Sequence, residues 1–179
     1  VFLEKARSAE VAGQPVALQL GAGVHALEGG AFTFDGRTTA SEVRLLGAAG
    51  AVLQAAGPLL NVSAGAPRVS LHGLVLRSPV IVAGGELQIG NCTFAESSAD
   101  EGGALHVAAG TLTVDRTAFV GCQAPRGGAV YVSGGAATFS GCTFEGCRAS
   151  EAQGGGAVLV EGGGRVELRQ ATHLTSNHA

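Results

Sequence analysis

Four cysteines, five histidines and the adjacent acids Asp100 and Glu101 are the residues through which this 179-residue chain could do chemistry. Cleavage of a glycosidic bond needs two carboxylates facing one another a few ångströms apart, and lyase chemistry needs a base beside a metal ion or an arginine. Neither arrangement is visible in the order of residues. Asp35, Asp100 and Asp115 fall at unrelated places in the repeat described below. Asp100-Glu101 occupies a loop whose counterparts are Pro125-Arg126 and Glu151-Ala152-Gln153, which predicts a solvated loop. His25, His72, His106, His173 and His178 form no H-x-E or H-x-x-x-H pair and are expected to be surface or structural residues. Gly162-Gly163-Gly164-Arg165 lacks the aspartate of a calcium-binding G-G-x-G-x-D repeat. No metal, no cofactor and no catalytic residue is assigned.

Cys122 and Cys147 hold the same place in two successive repeats, while Cys92 and Cys142 share a place two repeats apart. Only Cys122 and Cys147 come near disulfide range. In parallel register their Cβ atoms would stand about 5 Å apart, beyond the usual 3.5–4.5 Å or so of a disulfide, so a reduced buried stack is favoured and the pair is kept as the candidate bridge. There is no C-x-x-C for zinc or thioredoxin-like redox chemistry. Asn61-Val62-Ser63 and Asn91-Cys92-Thr93 are glycosylation sequons, meaningful only in a secreted eukaryotic chain.

Composition limits the elements that could position these groups. Only 14% of the residues are charged, 46% are hydrophobic and 30 are glycine, which excludes charge-driven disorder. The glycines have no G-X-Y period, so the chain is not collagen-like. No run of 18 apolar residues suits a membrane-spanning helix, and no membrane insertion by this segment is expected. A net charge of −3, with 11 scattered basic residues, offers no patch for a nucleic acid.

A repeat sets the fold. Segments beginning at Val80, Leu105, Val130 and Val158 start 25, 25 and 28 residues apart. Each reads as two short alternating strands broken by glycine, a third apolar anchor such as Phe94, Phe119 or Phe144, and a polar loop ending in Gly-Gly. Such a unit cannot bury its inner face alone, but coils stacked at about 4.8 Å bury one continuous core. Leu60-Asn61-Val62 with Val69-Ser70-Leu71 continues the pattern backwards, as do Leu45-Leu46, Val52-Leu53, Val16–Leu20 and Ala31–Phe34. The expected fold is therefore all-β, a right-handed parallel β-helix solenoid of about six or seven coils over residues 14–179. Residues 1–13 are expected to form a short capping helix, because Phe2, Leu3, Ala6, Ala9 and Val11 recur at helical spacing before Gly13-Gln14-Pro15. Since His173–Ala179 stops where earlier units run on, a longer solenoid with further flanking coils is expected beyond this piece.

If the valines beside them point inward, Asn61, Ile81, His106, Tyr131 and Leu159 stack outward along one sheet. Ile81, His106, Tyr131 and Leu159 are the candidate ligand-binding residues, an apolar and aromatic stripe that a longer loop could instead cover. The outward positions Glu86/Gln88, Thr111/Thr113, Ala136/Thr138 and Arg165/Glu167 make no threonine ladder of the kind that binds ice.

Phe94…Gly102-Gly103-Ala104-Leu105, Phe119…Gly127-Gly128-Ala129-Val130 and Phe144…Gly155-Gly156-Ala157-Val158 resemble the F-x-x-N and G-G-A-[ILV] repeats of chlamydial polymorphic outer-membrane proteins. The resemblance covers roughly residues 80–179. The family's asparagine position is filled by Ser97, Cys122, Cys147 and Asn177. Residues 1–30 look like the opening of pectin-lyase-like β-helices. The resemblance implies a non-catalytic structural or adhesive segment of a larger cell-surface or secreted protein, partnered by a glycan or a surface protein. It leaves as the alternative a polysaccharide lyase or glycosidase whose catalytic residues lie outside this piece.

Overall fold

Alternating apolar residues put one half of each segment on the inner face of a strand, and glycine-rich corners turn the chain from one strand to the next. The computed structural model describes residues 12–28, 30–151 and 153–179, and the regular structure there is entirely strand. Residues 1–11, which carry the expected capping helix, lie outside the described residues.

Three parallel ladders run side by side. The first joins β1 (Pro15–Leu20), β4 (Glu42–Gly47), β7 (Arg68–His72), the second half of β9 (Val80–Gly90), the second half of β11 (Leu105–Asp115), β15 (Ala136–Ser140) and β19 (Arg165–Arg169). The second joins β2 (Gly23–Leu27), β5 (Ala51–Ala55), β8 (Val75–Leu76), β10 (Thr93–Ala95), β12 (Ala118–Val120), β16 (Thr143–Glu145) and β20 (His173–Thr175). The third joins β3 (Phe32–Phe34), β6 (Leu60–Ser63), the first halves of β9 and β11, β14 (Val130–Val132) and β18 (Val158–Val160). A two-strand ladder, β13 (Gln123–Ala124) with β17 (Arg148–Ala149), lies at the corner between the second and third. One strand from each main ladder makes a coil, so the described residues form six coils and the start of a seventh. The parallel solenoid read from the repeat is the observed architecture, and the earlier, less regular segments are its first three coils.

Inward columns fill the core. Leu45, Leu71, Ile89, Val114 and Phe139 follow one another up the first ladder, and Leu60, Val80, Leu105 and Val130 up the third. In the second, Phe94, Phe119 and Phe144 stack with ring centroids 5.1 and 4.5 Å apart and planes within 3° of parallel. Each ring is fully buried, and such stacked contacts add about 0.5–1.5 kcal/mol apiece beyond the area they remove from water.

The G-G-A element divides its labour among three residues. Its first glycine (Gly102, Gly127, Gly155) turns at φ near +62°, in the left-handed region, and is crowded as well: a Cβ on Gly127 would meet the Val130 carbonyl oxygen at 2.2 Å. Its second has ordinary φ but no room: a Cβ on Gly128 would meet the Gly156 carbonyl oxygen at 2.0 Å, and one on Gly103 the Gly128 oxygen at 2.3 Å. The alanine (Ala104, Ala129, Ala157) is buried at the start of the next inward column. One corner is smoother than the sequence suggests. At Gly84-Gly85 and Ala108–Gly110 the strands do not break, and β9 and β11 run through from the third ladder to the first with the register slipping at the bend. The glycines there act as bulges rather than as turns.

Candidate ligand-binding face

The strand register places the expected outward column in one line: Asn61 pairs with Ile81, Ile81 with His106, His106 with Tyr131 and Tyr131 with Leu159. The five residues differ in what covers them. Ile81 and His106 are half-buried and face a cavity of about 700 Å³, whereas Tyr131 is only 5% exposed and lies beneath a neighbouring loop. Leu159 is half-buried and lies outside that cavity's lining. At Tyr131 the column is covered by a loop, the alternative left open by the sequence, and its accessible part is the cavity over Ile81 and His106.

The covering loop is the one that ends in Gly-Gly. Glu101 and Arg126 occupy the same register in successive coils and form a parallel bridge, which brings the Arg126 guanidinium 2.9 Å from Glu101 Oε1. The same guanidinium donates to Glu161 Oε2, lies 3.9 Å from Glu151 and sits 4.7 Å from the centre of the Tyr131 ring. Tyr131 donates its hydroxyl to Glu161 at 3.1 Å. Burial, and then this bond to a carboxylate, raise the Tyr131 hydroxyl above its ordinary range. Each partly exposed ion pair contributes at most about 1 kcal/mol, but together they lock one arginine over one aromatic face. Asp100-Glu101 was expected as a solvated loop; Asp100 is exposed, but Glu101 is half-buried and interlocked with the next coil.

His106 packs against Tyr131 with ring centroids 5.1 Å apart, and its Nε2 lies 3.1 Å from Ser133 Oγ. Its Nδ1 is 3.8 Å from Glu101, beyond hydrogen-bonding distance. Burial lowers the imidazole below its ordinary value against the opposing pull of Glu101. Gly57, Pro58 and Pro79 line the cavity from the earlier coils, and Ser98, Ala99, Asp100, Glu101, Pro125, Arg126 and Glu151 from the later ones. Alternation within strands identified Ile81 and His106. The loop residues were missed, although opposite charges 25 residues apart at Glu101 and Arg126 are the signal that reveals a cross-coil pair.

The remaining candidates lie elsewhere. All four cysteines are buried free thiols. Cys122 and Cys147 stack between Ser97 and Asn177, and the ladder has a common chemistry: Asn177 Nδ2 donates to the Phe144 carbonyl at 3.0 Å, Cys147 Sγ to Phe119 at 3.6 Å and Cys122 Sγ to Phe94 at 3.8 Å. A thiol thus stands in for the amide as a weak donor to the preceding coil. The hydrogen bond with Cys147, and then burial, push the Cys122 thiol well above its ordinary range. Desolvation pushes Cys92 up to about 11. Asn91 is exposed in a turn with φ +49°, where its amide meets His72 Nε2 at 3.2 Å. Asn61 lies within β6, half-buried, with its Oδ1 fully enclosed.

Comparison with protein families, with curated proteins and with solved structures finds no match to this chain.

Proposed function

We propose that this chain is a structural and adhesive segment of a larger cell-surface or secreted protein, non-catalytic in itself, that holds a glycan or a protein on the sheet face carrying Ile81 and His106. The cavity of about 700 Å³ on that face carries the reading. It is large enough for a ligand group, and its floor is fixed by strands that pair on both sides. On this reading the repeats are those of a right-handed β-helix similar to the pectin-lyase-like proteins and to the chlamydial outer-membrane repeats, and the setting is extracellular.

A second reading has an observation of its own. Asp100, Glu101 and Glu151 line one cavity, an acidic surface that would suit the scaffold part of a carbohydrate-active enzyme whose catalytic residues lie outside this piece.

One experiment separates the two: the chain and its Ile81→Ser and His106→Ser variants are screened on a glycan array and against surface-protein extracts, with polysaccharide turnover assayed in parallel. Retention lost in both variants, without turnover, supports the adhesive reading. Turnover favours the enzyme, and retention that survives both substitutions removes the cavity from the function.

A further inference from the structure

The lining of the Ile81–His106 cavity has two chemically different parts. Pro58, Pro79 and Ile81, from the earlier coils, bring apolar side chains, while the later coils bring Asp100, Glu101 and Glu151 against the single cation Arg126. That cation is already engaged, by Glu101, by Glu161 outside the cavity and by the ring of Tyr131. Among the described residues Asp100 pairs with no cation, and Glu151 reaches Arg126 only at 3.9 Å. The acidic part of the lining therefore keeps an excess of negative charge, which disfavours an anionic ligand. The acids are also spread out. Among the described residues no three metal-ligating side chains converge to hold a metal ion.

A sugar ring is a poorer match, because pyranose faces stack on open aromatic surface and the one tyrosine of the chain is 5% exposed under Arg126. What fits is a cation on an aliphatic stem, with methylenes along Pro58, Pro79 and Ile81 and the charged head at the carboxylates.

We propose that this cavity is a socket for a lysine or arginine side chain presented by a protein partner. The inference rests on the reading of this face as a binding surface. A protein is favoured over a free amine because the column continues beyond the cavity through the half-buried Asn61 and Leu159, which a partner's surface would cover and a small cation would leave bare.

The test is an amide proton–nitrogen NMR titration with blocked Gly-Lys-Gly and Gly-Arg-Gly peptides, with Gly-norleucine-Gly as the uncharged control, and with spermidine and glucosamine as other cation sources. Saturable shifts at Ile81, Ala99 and His106 are expected with a basic peptide and not with norleucine. Asp100→Asn and Glu151→Gln should each weaken that binding about three- to fivefold, the effect of one partly exposed ion pair. Equal binding of norleucine, or unchanged affinity in both variants, overturns the proposal. Spermidine or glucosamine binding more tightly than the peptides overturns the assignment to a protein. If a glycan fills the cavity and basic peptides do not, this inference falls and the binding face stands. If no probe or glycan reaches the cavity residues, both fall.

Discussion

At the scale of single residues, His106 is the group whose protonation the fold resists most visibly. Burial holds its imidazole below the ordinary value of 6.5, so as the pH falls past 6.5 the unfolded chain takes up this proton before the folded one does. The stability that His106 contributes is complete above that pH and declines below it, until the folded ring is protonated as well. A His106→Gln variant should therefore lose less melting temperature between pH 7 and pH 5 than the parent; identical losses would mean that the ring titrates alike in both states. The position of His106 was legible because a strand has period two: once Leu105 and Val107 are inward, the residue between them is outward. The fate of Tyr131 was not legible by the same rule. Alternation gives a side chain its direction, but the cover over Tyr131 comes from Arg126, whose reach depends on the path of an irregular loop.

Among the elements, the Gly-Gly loops and the corners show that one residue type answers two different demands. Gly146 has φ +62° and nothing within 4 Å of where a Cβ would stand, so only its backbone conformation requires glycine. Gly128 has ordinary φ and is required by the backbone of the next coil. Gly146→Ala should cost about 1 kcal/mol, the left-handed penalty less the gain from a stiffer unfolded chain. Gly128→Ala should cost about 3 kcal/mol or more, because backbone rather than a movable side chain blocks the methyl. Urea midpoints of the two variants measure the difference, and equal shifts would remove the close-approach argument. The repeat made these loops legible as loops, since Gly-Gly-Ala recurs before an apolar strand. It did not distinguish the two roles of glycine, nor show that Gly84-Gly85 bends a strand without ending it. Both depend on the neighbouring coil, which is close in space and about 25 residues away in sequence.

Among the described residues the molecule is a stack in which each coil pairs with the coils before and after it, so its stability is a sum of neighbour terms and need not be uniform. Rows around the Phe94, Phe119 and Phe144 stack are buried on all sides, whereas Val160, Leu168 and Leu174 in the last strands are 41%, 47% and 48% exposed. Hydrogen exchange should show it. Amides of β11 are expected to exchange at least about tenfold more slowly than those of β19 and β20. One common rate across all coils would instead mean a single cooperative unit.

The same stacking decides how the molecule would answer a pull. The bonds between coils lie roughly along the solenoid axis, so tension applied from its first coil to its last loads the ladder one rung at a time, as in a zipper, and not all rungs at once. Each coil occupies about 4.8 Å of that axis. Drawn straight, its 25 or so residues reach about 85 Å. Tension would lengthen it in small, repeated steps, each releasing nearly twenty times the length it consumes, so that a load could be held over a long distance while most of the stack stays intact.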